Sequence, residues 1–301
     1  MRLRLGARGS PLSLAQARIV TASLQGRVEV ELVVVKTTGD RLSAAGSPIE
    51  WKGDFTRELD EALLDGRIDF AVHSMKDVPT QVPEELALAA VPVREDPRDV
   101  LIARPRRSFE ELPVGTRVGT ASPRRKAQLL AARPDLKVIE ARGNVDTRIA
   151  RLAEGRFDAI VLARAGLARL ARLEEASEVL PTSLILPAIG QGALAIYARG
   201  DDRATLTLLE ALDDSASHSE AEAERSLLST LEAGCKAPIA GLARVSDGSL
   251  TLSAGVFSPD GSSALREQSR GPASEAVSIG RDVGRKLLDR GAAALIEAAS
   301  R

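Results

Sequence analysis

A strand-like stretch, a Ser-Pro pair and a helix-like stretch follow one another twice in this 301-residue chain. Arg2–Ala7 leads through Ser10-Pro11 into the helical pattern Pro11–Gln25, and Arg117–Gly119 leads through Ser122-Pro123 into Pro123–Arg133. Serine at an N-cap accepts a hydrogen bond from a free backbone amide, and proline at the first helical position presets φ, so each copy marks a helix start. Between and after them, Val28–Lys36, Ile68–His73, Lys137–Ala141 and Ala159–Ala163 read as strands. Phe55–Asp65, closed by Gly66, and Asn144–Glu154 read as helices. Such alternation predicts α/β domains with mainly parallel sheets. Each repeated helix starts at the carboxyl end of a strand, where α/β sheets bind ligands and helix N-termini attract anions. Two lobes joined by a hinge and closing on an anionic ligand are expected.

The polar, proline-containing segment Arg94–Asp99 suits a linker. From about residue 215 the pattern changes to a helix over Glu220–Glu232, a strand over Thr251–Phe257 and a largely helical Ala273–Ala299, as in a small α+β domain. The expected organisation is a discontinuous domain 1 over 1–93 and 190–213, domain 2 over 98–187 and domain 3 over 215–301. Thr37–Gly53, with several Gly and Ser residues and no period, reads as a mobile loop.

Composition narrows the partners. A net charge of −1 gives no whole-molecule field towards nucleic acid, and aromatics at 2% leave few platforms for base stacking. No apolar run approaches the ~20 residues of a membrane span, and the N-terminus starts a strand instead of a signal sequence. A cytoplasmic, monomeric protein with no nucleic-acid or membrane partner is expected. With His73 and His218 as the only histidines, no metal site is expected.

Placement of charge is more telling. Of 41 basic residues 34 are arginine, an excess that codon bias explains in number but not in position. Arg124 and Arg125 occupy the first helical turn after Ser122, where cations oppose the helix dipole, and a bound anion would remove the conflict. Arg142 stands at a strand end before Gly143, Arg148 on the next helix, Arg8 in the first strand–helix turn and Arg169 after Ala165-Gly-Leu-Ala168. Six arginine forks so placed suit several carboxylates or a polyphosphate. His73-Ser-Met-Lys-Asp77 puts Lys76 and Asp77 at the exit of a buried strand, either as an ordinary ion pair or as site residues.

Cys235 is the only cysteine, so the chain forms no internal disulfide. Gly234 and Pro238 frame it in a turn, and Lys236 sets a cation beside it. A two-lobed anion-binding protein without catalysis would account for the arginines but not for this presented thiol. A cysteine hydrolase pairing Cys235 with His73 is a further alternative.

Six stretches, in order, resemble the porphobilinogen deaminase family: Ala7–Gln16, Val72–Pro79, Gly119–Arg125, Arg142–Val145, Ala188–Leu194 and Leu231–Cys235. The resemblance implies two periplasmic-binding-protein-like lobes of type II with a hinge, and a small α+β C-terminal domain. It implies a dipyrromethane cofactor held by a thioether to Cys235, and head-to-tail condensation of four porphobilinogen molecules with loss of ammonia. Hydrolysis then frees hydroxymethylbilane. Asp77 matches the catalytic aspartate. Cys235, Asp40, Ser74, Lys76, Thr120, Ser122, Arg124 and Arg125 match cofactor-binding positions. Arg8, Ser10, Gln16, Arg142, Gly143, Arg148 and Arg169 match positions that bind substrate and the growing pyrrole chain, and Lys52 and Phe55 match an active-site loop. That loop reads Trp51-Lys-Gly-Asp-Phe55 where the family has Gly-Lys-Gly-Leu-Phe. Tyr197 stands where an acidic residue is expected, and Lys236 where a neutral one is common. A tether reacts once, when the cofactor is installed, so the chemistry of turnover falls to Asp77.

Overall fold

The computed structural model describes residues 2–45, 52–232 and 237–299. The chain begins with β1 (Arg2–Arg8), α1 (Pro11–Ser23), β2 (Glu29–Val35), α2 (Thr38–Ala45), α3 (Arg57–Leu64), β3 (Phe70–Ser74) and β4 (Leu86–Ala90). It continues through β5 (Asp99–Ala103), β6 (Arg117–Gly119), α4 (Pro123–Ala132), β7 (Lys137–Ile139), α5 (Val145–Ala153), β8 (Ala159–Ala163), α6 (Arg164–Arg169) and β9 (Glu178–Val179). Then come β10 (Leu194–Arg199), α7 (Arg203–Glu210), α8 (Ser215–Thr230), β11 (Ile239–Ser246), β12 (Ser249–Phe257), β13 (Ala264–Pro272), α9 (Ala276–Asp289) and α10 (Ala292–Ala298).

Two compact units result, Met1–Glu95 with Ala193–His218, and Asp96–Gly192 with Ser219–Arg301. The first holds a five-stranded sheet ordered β2-β1-β3-β10-β4, and the second a sheet ordered β7-β6-β8-β5-β9. The two orders are one pattern. In each, the first strand of a βαβ pair lies parallel between the second and third, and an antiparallel strand joins the third to the edge. The antiparallel strand is β10 in the first unit and β5 in the second, so each sheet is completed by the strand that follows a crossing of the chain. With a separate three-stranded antiparallel sheet, β11-β12-β13, this is the mixed α/β architecture with a small C-terminal sheet that the family resemblance implied.

Both Ser-Pro helix starts form as the sequence predicts. Ser10 accepts from the Ser13 amide and Ser122 from the Arg125 amide, each with proline in the first turn. One face of the first sheet, with Leu3, Leu5, Phe70, Val72 and Ile196, closes on Ala17 and Val20 of α1 and Leu209 of α7. The second sheet is covered on both faces, by Leu129 of α4 on one side and by Ile149 and Leu152 of α5 on the other. Burying each such Leu or Ile side chain contributes about 1.5–3 kcal/mol. The C-terminal sheet packs on Leu227 of α8 and on Ile279, Val283 and Leu287 of α9. Its β12–β13 turn rests on α4: a Cβ at Gly261, with φ +76°, would lie 2.3 Å from the Ala127 carbonyl oxygen.

Three sequence expectations change. Thr38–Ala45 is helical although the pattern of Thr37–Gly53 suggests loop, because the Thr37 hydroxyl accepts from the Asp40 amide (3.2 Å) and donates to its carboxylate (2.9 Å). That is a helix start built by Thr and an acidic residue three positions on. Lys52–Phe55 form a 3-10 turn, and 46–51 lie outside the described residues. Asp99, the end of the presumed linker, opens the wholly buried strand β5. The helical tail divides at Gly291, φ +93°, into α9 and α10.

Candidate active site

In the first unit the predicted residues gather at the carboxyl ends of the parallel neighbours β1 and β3, the point where strand order reverses. Arg8 ends β1. Its Nε lies 3.2 Å from both Asp40 oxygens and its Nη2 completes a bidentate ion pair, while its guanidinium carbon sits 3.9 Å above the Phe55 ring centroid. Phe55 reaches there because residue 39 is glycine: a Cβ would meet its ring at 2.3 Å. Gln16, 3% exposed, points back from α1 and donates to the Ser74 hydroxyl at 2.7 Å. Ser10 caps α1 with its own hydroxyl.

After Ser74 the chain turns through a 3-10 turn, Met75–Asp77, anchored by the buried Met75, whose amide donates to the Ala193 carbonyl. Lys76 is half-buried and engaged within the chain. The Asp77 carboxylate is half-buried and makes no hydrogen bond or ion pair with any described residue. Just behind this turn, His73 is buried on β3, its ring edge-on to Tyr197 at 6.1 Å between centroids. Burial, with the Arg8 charge adding to it, pushes the His73 pKa down to about 4. Tyr197 is thus a core residue of β10, 5% exposed.

In the second unit Thr120 and Ser122 follow β6. The Thr120 hydroxyl accepts from the Ser122 amide at 3.2 Å, and the Ser122 hydroxyl caps α4. The dipole conflict at Arg124 and Arg125 is met in part inside the protein, by the single carboxylate of Asp99. Arg125 Nε and Nη2 donate to Asp99 Oδ1 at 3.1 and 2.7 Å, and its Nη1 donates to the Val161 carbonyl. Arg124 Nη1 lies 2.8 Å from Asp99 Oδ2 and donates to the Leu186 carbonyl. Burial alone would raise the Asp99 pKa, but the two guanidiniums outweigh it and hold the carboxyl well below the usual range. Gln191 donates to Asp99 Oδ1 and to the Pro97 carbonyl.

The remaining arginines of the second unit have other partners. Arg142, with a third of its side chain exposed, pairs with Glu140. Gly143 has φ +104°, which no L side chain adopts without strain, and its carbonyl accepts from Arg148 Nε at 2.7 Å. Arg169, on α6, donates to the Gly192 carbonyl. Cys235 and Lys236 lie outside the described residues, as does Trp51.

Two residues escaped the sequence reading. Asp99 carries one local signal, an acidic side chain leading the apolar run Val-Leu-Ile-Ala. Gln191 lies in the Ala188–Leu194 stretch, to which no role was attached. Among the described residues no group of His, Cys, Asp and Glu is placed to hold a metal ion, and no helix is long and apolar enough to cross a membrane.

Comparison with known proteins gives one consistent result. Residues 3–207 match the porphobilinogen deaminase dipyromethane cofactor-binding domain, and residues 218–289 match the porphobilinogen deaminase C-terminal domain. The chain is 47% identical to the porphobilinogen deaminase of Syntrophobacter fumaroxidans, over 98% of this chain and 97% of that protein. It is 48% identical to those of Desulforudis audaxviator, over 97% and 96% of the two chains, and Rubrobacter xylanophilus, over 98% and 96%. With Asp77 at the exit of β3 and matched domains spanning both units, the chain belongs to the porphobilinogen deaminase family, transferases built around a dipyrromethane cofactor.

Proposed function

We propose that this chain is a hydroxymethylbilane synthase: it joins four porphobilinogen molecules head to tail, releases ammonia at each step and frees the linear tetrapyrrole by hydrolysis. The observation that carries this reading is the Asp77 carboxylate, half-buried at the carboxyl end of a parallel strand and making no hydrogen bond or ion pair with any described residue. When a pyrrole attacks an electron-poor carbon, positive charge develops on its ring nitrogen. A carboxylate held beside that N–H stabilises the charge and takes up a proton.

The residues present fit a dipyrromethane, whose acetate and propionate groups need cations. Two buried guanidiniums face one carboxylate at the N-terminus of α4, and Arg124 Nε is buried with no described partner. Held through Cys235, the group supplies the pyrrole carbon to which substrate units are added. To position that group we assign Arg124 and Arg125, with Thr120 and Ser122 in their own loop, and Asp40, Ser74 and Lys76 of the first unit. Arg8 keeps Nη1 clear of every described hydrogen-bond partner, and Arg142 is only partly covered. These two, with Arg148 and Arg169, bind the carboxylates of the growing chain. Gln16, Ser10 and Gly143 shape the turns that present them, Phe55 covers the Arg8 side, and Lys52 is assigned to the same loop by the family resemblance. We take the working unit to be one chain, because both arginine sets and the tether cysteine belong to a single polypeptide, and its place to be the cytoplasm, as suits a biosynthetic enzyme.

Intact-protein mass tests the reading. Purified protein should exceed its sequence mass by one dipyrromethane, give a pink colour with Ehrlich's reagent and release ammonia from porphobilinogen. Cys235→Ser should lack the added mass. An active wild-type protein of unmodified mass, or a Cys235→Ser variant with full turnover, would refute the tether.

A further inference from the structure

Arg124 and Arg125 are adjacent in sequence but differently engaged. All three side-chain nitrogens of Arg125 are occupied, two by Asp99 and one by the Val161 carbonyl. Arg124 meets Asp99 through Nη1 alone, off the hydrogen-bonding line, and its Nε is buried with no partner among the described residues. Arg124, Arg125 and Asp99 are 4%, 5% and 0% exposed, so the three charges leave one positive charge shielded from water. The neutral Gln191, which donates to Asp99 at 2.9 Å, holds the carboxylate in place without changing that sum. The surplus lies at the N-terminus of α4, whose dipole has the same sign, so helix and side chains favour an anion in one place.

We propose that Asp99 is a positioning residue for this carboxylate site: it immobilises Arg125 as its own partner and leaves the Arg124 charge for a carboxylate of the bound pyrrole chain. The inference rests on the cofactor reading above and divides between two residues a role that the resemblance gives to both. Arg124 and Arg125 share one carboxylate, so removing the less engaged cation leaves a neutral buried pair, whereas removing the carboxylate leaves two buried cations unpaired. Arg124 and Asp99 should therefore respond in opposite ways.

The test compares Arg124→Met, Asp99→Asn and the double variant Asp99→Asn/Arg125→Met by thermal unfolding and by intact mass. Arg124→Met should keep or raise the midpoint while cofactor occupancy falls about tenfold or more, the equivalent of one charge-assisted hydrogen bond. Asp99→Asn should lower the midpoint, and adding Arg125→Met should restore most of it, with occupancy above that of Arg124→Met. Full occupancy in Arg124→Met would overturn the proposal. So would a midpoint in that variant as low as that of Asp99→Asn, or a double variant no more stable than Asp99→Asn. A wild-type protein without added mass would instead sink the cofactor reading, and the three midpoints would still judge the charge arrangement.

Discussion

The guanidinium carbon of Arg8 lies 3.9 Å from the centre of the Phe55 ring, while the edge of the same group grips Asp40. One cation is thereby fixed from two directions, with a π face below it and a carboxylate beside it. A flat apolar wall keeps the fork oriented without consuming its donors.

Phe55→Leu keeps the apolar wall and removes the ring quadrupole. A cation–π contact at a partly exposed site is worth about 0.5–1 kcal/mol. The variant should fold normally and show a KM for porphobilinogen raised by about two- to fivefold. Steady-state kinetics with an unchanged KM would mean that the Arg8–Phe55 stack does not orient the substrate-binding fork.

Asp77→Asn retains the shape of the turn and removes the charge. Purified variant should carry the cofactor by intact mass, yet kcat should fall by about 100-fold or more, the scale of a positioned acid–base group. Normal turnover would remove Asp77 from the mechanism.

His73 predicts an acid-sensitive step in stability. Its folded-state pKa of about 4 lies below the unfolded value of 6.5. The unfolded chain therefore binds the proton first, and stability is lost as pH falls from about 6.5 to about 4, with no further loss from this group below that. The shift corresponds to about 3 kcal/mol. Asp60, raised to about 6 by burial, acts in the opposite sense between about 4 and 6, because there the folded state holds the proton longer. His73→Leu should flatten the fall in melting temperature between pH 6.5 and 4. Nε2 has no described hydrogen bond to lose, so the neutral-pH midpoint should be little changed. An unchanged pH profile would show that His73 is already protonated in the fold.

Asp99 acts at lower pH. Its folded pKa is depressed, so its contribution is complete above the ordinary carboxylate value near 4 and declines as pH falls below it. Asp99→Asn should lower stability at neutral pH by about 3–5 kcal/mol, as when one partner is deleted from a buried pair. The deficit relative to wild type should narrow progressively in acid denaturation below about pH 4. A pH-independent deficit would mean that the carboxylate charge is not what is lost.

Local signals were legible in the sequence and long-range ones were not. Ser10-Pro11 and Ser122-Pro123 announced α1 and α4 because capping acts within four residues. The arginines at strand ends were visible because a turn is a local event, and the family motifs placed Asp77 directly. What each side chain touches was hidden. The anion that quiets Arg124 and Arg125 sits 25 and 26 positions upstream, in a stretch whose proline and charges looked like a linker. No periodicity connects a strand's first residue to a helix's first turn. The start of α2 was legible and missed: Thr37-x-x-Asp40 is a capping pattern, but the surrounding Gly and Ser residues suggested loop. The antiparallel roles of β5 and β10 could not be read locally, since a strand's direction is set by the partner it meets.

The strand orders also impose a schedule on synthesis. In the first unit β4 pairs only with β10, and β3 has one of its two neighbours only when β10 arrives. A ribosome making the chain from its N-terminus delivers β4 by residue 90 but β10 only by residue 199. For about a hundred residues of elongation the first sheet stands with an open edge, a surface that invites mispairing. The five-stranded sheet of the second unit has no such wait, because its antiparallel strand β5 is made before the strands it joins. The sheet that carries Asp77 is thus begun first and finished second, and a nascent chain halted before residue 194 would hold the Asp77 turn with no completed sheet beneath it.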